Sequence, residues 1–506
     1  MRALAKITAA VALCLLGTAA TARTTVTQKL VSDYAGKEPL RSAIVGILAV
    51  RANGDTLAQL NRGIKMVPAS NVKLLTTGLA LNKLGAGWRF RTTLAYSGEV
   101  CDSVLTGDLY IVGGGDPTTG SRSKCAEPLD AVFGRFRSQL EYAGIKKIEG
   151  RIVADPRYFL RPSQHPFWQV EDLGFNYGAG PEGLNFYENA QDFSVVPSSP
   201  GAAPAIRPTY PDAPWLSWTV NAVTGVARTP NTLYCINTGL VPRCEFFGSF
   251  PAERSGYTFQ GSNPFGPWTY AYYLHKYLIS NGITVTGGYA DISPRGLIRT
   301  DLLSYGTDDP AVPADSLSVL GTVLSPPLSD IIADTNAESD NFYAETIFAT
   351  LGLAVRGSSD CDEAARAEES LLKSMGLNPS GACAIVDGSG LSRKNYVSAE
   401  FFVKFLRKML GGKSGKAFVA SLPMPGGRGT LKYRMAGVPA ETKTRIRMKS
   451  GSMNGVRCMS GYILPAPGED ESRTVVFSIL TNNVVAASAT TATILDEIIL
   501  SLASEQ

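Results

Sequence analysis

Three short motifs, far apart and in a fixed order, constrain the fold of this chain more than any other feature. They are Ser70-Asn71-Val72-Lys73, Ser339-Asp340-Asn341 and Lys449-Ser450-Gly451. Together they supply a nucleophile, a proton shuttle and an anion-binding strand, the parts of a serine acyl-transfer site that works without histidine. If they meet in one site, segments near both ends of the chain must share one core. The long stretch from Lys73 to Ser339 must then loop out as inserted units. The chain has only two histidines, His165 and His275, and neither is close in sequence to a motif. That disfavours a Ser-His-Asp triad and leaves a lysine to act as base.

Each motif is weak alone. Ser-x-x-Lys recurs at Ser121/Lys124 in a Gly/Ser-rich turn, and at Ser370/Lys373 on an amphipathic helix where Ser370 should face solvent. Lys-Ser-Gly recurs at Lys413 after Gly411-Gly412, where a loop role fits, and Ser-x-Asn recurs at Ser452 and Asn454. Ser70 differs because it opens a predicted helix over 70–84, ended by Gly85, whose Val72, Leu74, Leu75 and Leu79 are apolar enough to be buried. Positions three apart share a helix face, so Lys73 can reach the Ser70 hydroxyl. The helix start also offers free N–H groups and a positive dipole end to a developing oxyanion. A base lysine must be neutral; burial, or a second charge such as Lys449, lowers its pKa. The plainer alternative is an N-cap serine with a snorkelling lysine. Lys449 lies in an alternating run that predicts a strand. There Lys449 and Ser450 could bind a terminal carboxylate, and Gly451 would let a substrate backbone approach as an added strand.

With 506 residues the chain is long enough for about three domains. A net charge of +4 is too weak to argue for nucleic acid. Residues 1–22 read as a secretory signal: Arg2 and Lys6, the apolar run 7–16, then Ala20-Thr21-Ala22. Cys14 follows Leu13 rather than a small residue, which argues against a lipoprotein. No later run is long and apolar enough to span a membrane. The mature chain is therefore expected to be exported, to the periplasm or loosely bound to the envelope. Export permits disulfides, and sequence neighbours suggest Cys101–Cys125, Cys235–Cys244 and Cys361–Cys383. Cys458 is left over; it follows Lys449 by nine residues, which allows a place near the site, and a small buried residue on a core strand is its plainer reading. No zinc spacing is present, so neither metal nor cofactor is expected.

Residues 44–51 read as a buried strand, and 104–112 and 150–155 as strands of another unit. An echo links two places: a helix leads into Ala143-Gly144-Ile145, then Gly150 and Asp155. Another leads into Asn281-Gly282-Ile283, then Gly288 and Asp291. Two halves of one α/β insert and chance both explain it. Residues 174–260 suggest a small, mostly β unit. Helix is predicted over 328–354, 362–376, 398–410 and 487–503, and strands over 444–449, 456–464 and 475–480. The expected division is a core of 23–95 and 315–506, an α/β insert of 96–173 and 261–314, and a nested β unit of 174–260.

The ordered triple resembles the penicillin-recognising serine enzymes, and more closely the D-alanyl-D-alanine carboxypeptidase/endopeptidase family of the PBP4 (DacB) type, peptidase family S13. Gly113-Gly114-Gly115-Asp116-Pro117, Tyr177-Gly178-Ala179, Asp387-Gly388-Ser389-Gly390-Leu391-Ser392 and Gly429-Thr430-Leu431 match that family too. The resemblance covers nearly all of the mature chain. It implies an α/β (α+β) transpeptidase core like that of serine β-lactamases, an antiparallel sheet flanked by helices and interrupted by a two-part insert. It implies Ser70 as acylated nucleophile, Lys73 as base, Ser339 as proton relay to the leaving group and Asn341 as holder of the substrate amide. Lys449, Ser450 and Gly451 would bind the carboxylate side, and the N–H groups of Ser70 and Ser452 would form the oxyanion hole. Arg393, Asp155 and Asn454 match positions that bind the free end of a diamino-acid side chain; alone they also read as an ion-pair partner, a turn residue and a hairpin residue. The implied substrate is a peptidoglycan peptide ending in D-Ala-D-Ala, with β-lactams as covalent inhibitors and room for a homodimer. A β-lactamase and a non-catalytic peptidoglycan-binding protein are the rivals. Two departures stand out: Lys-Ser-Gly replaces the commoner Lys-Thr-Gly, and Asn454 stands where relatives can have glutamine.

Overall fold

The computed structural model describes residues 24–237, 239–303 and 309–506. The predicted signal at 1–22 and Cys14 lie outside the described residues. The core is a five-stranded antiparallel sheet in the order Thr56–Leu60, Ile44–Arg51, Val475–Asn482, Val456–Ile463, Ile446–Met453. Both ends of the chain therefore build one sheet. Its central strand is buried along its whole length, as expected when both faces are covered. Val475, Phe477 and Ile479 pack to one side and Val476 and Leu480 to the other, the period-two alternation of a strand. On one side lie Val31 of Val26–Ala35 and Leu495, Ile498 and Leu502 of Ser488–Ser504. On the other lie Leu74, Leu75 and Leu79 of Val72–Lys83, with Phe402 and Leu406 of Ala399–Leu410. Each such side chain, fully buried, contributes about 1.5–3 kcal/mol. That burial holds the Ser70 helix against the sheet.

A seven-stranded sheet carries the insert. Its order is Asp309–Pro310, Leu297–Arg299, Tyr289–Ile292, Ile152–Asp155, Leu109–Val112, Arg91–Tyr96, Ser318–Leu324. The two passages between core and insert, Arg91–Tyr96 and Ser318–Leu324, are antiparallel neighbours in it. The sequence echo has a structural counterpart. The helices Leu129–Tyr142 and Gly266–Ser280 exit through Gly144 and Gly282, at φ +73 and +86. The short strands that follow pair in parallel, Thr284 with Lys147 and then Tyr289 with Ile152. Residues 190–262 form three small sheets around Phe193, Phe246 and Phe259.

Two expectations fail. The single helix predicted over 328–354 is two, Leu328–Glu338 and Asn341–Arg356. Ser339 breaks it with φ +61, and the Asp340 carboxylate caps the second by accepting from the Tyr343 N–H at 2.8 Å. The suggested disulfides are also absent: the seven described cysteines are free. Cys101 is exposed on Glu99–Cys101, whereas Cys125 packs against the core and its N–H reaches Asp334. Cys361 opens a helix beside Arg161 and Glu345, while Cys383 lies by Glu368 and Glu369, about two turns along. Cys235 and Cys244 do lie together, as hydrogen-bonded thiols on adjacent strands. Cys458 matches its plainer reading: buried on a core strand, its thiol pushed up to about 12 by burial.

Candidate active site

The three motifs converge. Ser70 sits in a tight turn, Ala69–Asn71, leading into the helix Val72–Lys83. Ala69 has φ +46, an uncommon conformation for a residue with a side chain. Gly390 stacks against this turn, and a Cβ there would lie 2.0 Å from the Ala69 carbonyl oxygen. Gly451 braces the other side: its Cβ would come within 2.7 Å of the Pro68 oxygen. It lets the strand Ile446–Met453 close on the nucleophile turn.

Lys73 is fully buried, with Nζ 3.0 Å from Ser70 Oγ, 2.7 Å from Asn341 Oδ1 and 2.7 Å from the Ser389 carbonyl oxygen. Asn341 is oriented by its own amide, which donates to the Tyr177 carbonyl at 2.9 Å. A neutral amine has two N–H bonds and one lone pair. Asn341 and Ser389 take the two hydrogens, so the lone pair is left for the Ser70 hydroxyl. Burial pulls the Lys73 pKa down to about 8, opposed by the charges of Asp340, Asp387 and Glu345. The expected lowering by Lys449 is not what acts here. The influence runs the other way: Lys449, also fully buried, is held well below its ordinary value by burial and then by Lys73. Lys449 Nζ donates to Ser339 Oγ at 2.7 Å and to the Ser450 carbonyl at 2.8 Å. The left-handed turn at Ser339 presents its hydroxyl to this lysine.

Ser450 Oγ donates to Thr430 Oγ1 at 3.0 Å, and Ser452 is exposed one position beyond Gly451. Asn454 lies in the hairpin between Ile446–Met453 and Val456–Ile463. Arg393 joins it, donating to the Asn454 carbonyl at 3.2 Å and to Gln169 Oε1 at 3.1 Å. Asp155 is not brought to this pair. Its buried carboxylate accepts from Arg157 Nε and Nη2 at 2.8 and 2.6 Å, so a neighbour two residues on already occupies it. The competing motifs separate cleanly. Ser370 is exposed and Lys373 pairs with Glu369. Lys413 is exposed, and Ser121 bonds Glu188 and Tyr343.

Sequence reasoning missed the support behind Lys73. Asp387 gathers the loop 387–395, accepting from Gly390 N–H, Ser392 N–H, Asn395 Nδ2 and Trp168 Nε1. Glu345 accepts from the Ser389 N–H at 2.8 Å. Its position four residues after Asn341, on the same helical face, was the available signal. His165 is also nearer than its sequence position suggested, since Asp387 and Arg161 are its charged neighbours. A cavity of about 470 Å3 lined by Arg122, Tyr177, Glu188, Ser339 and Asn341 adjoins the site. A larger concavity of about 1260 Å3 contains none of the motif residues. Among the described residues no group of acidic, Cys or His side chains could hold a metal, and no helix is long and apolar enough to cross a membrane.

Comparison with known proteins decides the family. A family model described as "D-Ala-D-Ala carboxypeptidase 3 (S13) family" matches residues 26–503. The chain belongs to the S13 family. It is 30% identical over 457 residues to "D-alanyl-D-alanine carboxypeptidase" of Actinomadura sp., covering 88% of this chain and 78% of the relative. It is 23% identical over 454 residues to "D-alanyl-D-alanine carboxypeptidase DacB" of Haemophilus influenzae, covering 87% of this chain and 86% of that one. The crystal structure of penicillin binding protein 4 (dacB) from H. influenzae superposes with a TM-score of 0.76 at 22% identity, covering 93% and 98% of the two chains. The fold is thus that of the S13 penicillin-binding proteins.

Proposed function

We propose that this S13 protein is a serine DD-peptidase. It cleaves D-Ala-D-Ala ends and D-amino-acid cross-links of peptidoglycan stem peptides through an acyl-Ser70 intermediate. One observation carries the reading: the buried Lys73 Nζ lies 3.0 Å from Ser70 Oγ and 2.7 Å from two further acceptors, so the neutral amine can spend its two hydrogens on those acceptors and turn its lone pair to the Ser70 hydroxyl. Ser70 Oγ attacks the peptide carbonyl as its proton passes to Lys73 Nζ. The N–H groups of Ser70 and Ser452 hold the oxyanion. Ser339, bonded to Lys449, delivers the proton to the departing amine, and Asn341 holds the substrate amide. Lys449, Ser450 and Gly451 form the carboxylate end of the cleft, and water then frees Ser70. Arg393 and Asn454, already in contact, meet the diamino-acid side chain; Asp155 is too fully engaged with Arg157 to be included. The same reading places the protein outside the cytoplasm, as a split core with a split α/β insert and a nested β unit.

A β-lactam enters the same path and stalls as an ester on Ser70. Fluorescent penicillin should label the wild type covalently and leave Ser70→Ala unlabelled, with D-alanine released from a D-Ala-D-Ala peptide by the wild type alone. An unlabelled wild type, or a labelled Ser70→Ala, overturns the proposal. Rapid turnover of the β-lactam would make it a β-lactamase, and sacculus binding without released D-alanine a binding protein.

A further inference from the structure

Residues 160–169 leave the insert's sheet just after Ile152–Asp155 and fasten to the core at five points. The Leu160 N–H donates to Ser359 Oγ at 2.9 Å, and Trp168 Nε1 to Asp387 Oδ2 at 3.0 Å. Lys394 Nζ sits 3.5 Å over the Phe167 ring, and Gln169 accepts from Arg393. The fifth point is unusual. Arg161 and Glu345 form an ion pair at 3.9 Å with both side chains fully buried. Both terminal guanidinium nitrogens and Glu345 Oε2 lack a hydrogen-bond partner. A buried pair at that separation, with valences left open, recovers little of its desolvation cost. Its worth must be sought in what Glu345 touches.

That contact leads straight to the base. Glu345 Oε1 accepts from the Ser389 N–H, and the carbonyl of the same residue takes one N–H of Lys73. We propose that Glu345 and Arg161 are positioning residues for Lys73: Glu345 fixes the Ser389 backbone that orients the amine, and Arg161, carried on the insert, pairs with Glu345 from its other side. The insert is then part of the device that prepares the nucleophile. The inference rests on Lys73 being the base.

The charges around the pair set the direction of the effect. Glu345 faces Arg161 on the strap, Asp387 on the loop, Lys73 on its helix, and Cys361 and Glu368 on the helix Cys361–Ser374. Burial and then Asp387 push its carboxyl upward, and Arg161 opposes them. His165 faces Asp387 and Arg161. Lys73 itself faces Asp340, Asp387 and Glu345, with Lys449 beyond Ser339. A charged Glu345 favours the ammonium form of Lys73, so losing that charge frees the amine at lower pH. Losing Arg161 lets Glu345 take a proton and has the same sign.

The test is the rate of acylation by fluorescent penicillin from pH 6 to 10, using the full chain. In the wild type the rate rises with pH through about 8 as Lys73 loses its proton. Glu345→Gln keeps an oxygen for the Ser389 N–H, so its plateau should hold while the rise moves down by about half a unit, roughly twofold in relative rate between about pH 7 and 8, where Glu345 carries its charge. Glu345→Ala removes the hold, and its plateau should fall about 10²-fold. Arg161→Met should shift the rise in the same direction, and the Arg161→Met/Glu345→Gln double variant no further than Glu345→Gln alone. If Glu345→Ala does not fold, the other three variants decide. Rises that coincide with the wild type in both Glu345→Gln and Arg161→Met, or an undiminished plateau in Glu345→Ala, overturn the inference. An unlabelled wild type instead overturns the acyl-serine reading, a separate result.

Discussion

Lys73 and Lys449 are both fully buried, both within hydrogen-bond reach of a serine hydroxyl, and in opposite electrostatic settings. Three carboxylates, those of Asp340, Asp387 and Glu345, pull Lys73 back toward charge, so that burial leaves it at about 8. Lys449 has burial and the Lys73 charge against it, and it lies well below its ordinary value. One lysine is poised to exchange a proton near neutral pH. The other awaits a negative charge. A substrate carboxylate placed beside Lys449 would raise its pKa, so binding and protonation at that end are coupled.

The comparison breaks most easily by deleting each amine in turn. Lys73→Met should reduce acylation by penicillin about 10³-fold at every pH, because the base is gone. Lys449→Met should cost about 10²-fold in kcat/KM for a D-Ala-D-Ala peptide. Affinity for that peptide should weaken with rising pH in the wild type and lose this dependence in Lys449→Met. Stopped-flow acylation and D-alanine release read the two effects. Equal losses from both deletions with the same pH profile would mean that the two amines play the same part.

A second cut tests how the two ends are held together. Gly451 is where the strand bearing Lys449 meets the turn bearing Ser70, with no room for a Cβ beside the Pro68 oxygen. Gly451→Ala should destabilise the fold by about 1–3 kcal/mol and slow acylation together, since the obstacle is backbone. Thermal unfolding alongside penicillin labelling checks this. Unchanged stability and labelling would mean the strand and turn give way freely.

The parts of this site that were legible in the sequence share one property. Ser70 and Lys73 are three apart on a helix, Lys449 and Gly451 alternate on a strand, and local periodicity placed both pairs before any fold was known. Ser339 was legible as chemistry but not as structure. Its left-handed turn splits a run with continuous helical patterning, and only the Asp340 cap hinted at the break. Arg161, Trp168 and Ser389 were invisible as partners. Arg161 and Trp168 meet Glu345 and Asp387 across insert and core, and Ser389 meets Lys73 across distant parts of the core; no local pattern encodes either meeting. The pairs Cys101–Cys125 and Cys361–Cys383 failed for a related reason: closeness in sequence does not say where a strand, a loop or a helix turn aims its side chains, and only Cys235 and Cys244 fall on adjacent strands.

The smallest effect is the sharpest test of why the two lysines differ. Asp340 is the first of the three carboxylates acting on Lys73, and it also caps the helix that carries Asn341. Asp340→Asn preserves the cap, since an asparagine oxygen can accept from the Tyr343 N–H as well as aspartate does. It removes only the charge. The ammonium form of Lys73 then loses support, and the rise of acylation with pH should move down by about half a unit with the plateau little changed. Burial and the Lys73 charge, rather than a carboxylate, displace the Lys449 pKa, so the pH dependence of peptide affinity should stay where it was. A variant in which both profiles moved together would mean the two amines titrate as one unit, and that the carboxylates around Lys73 act on the whole site.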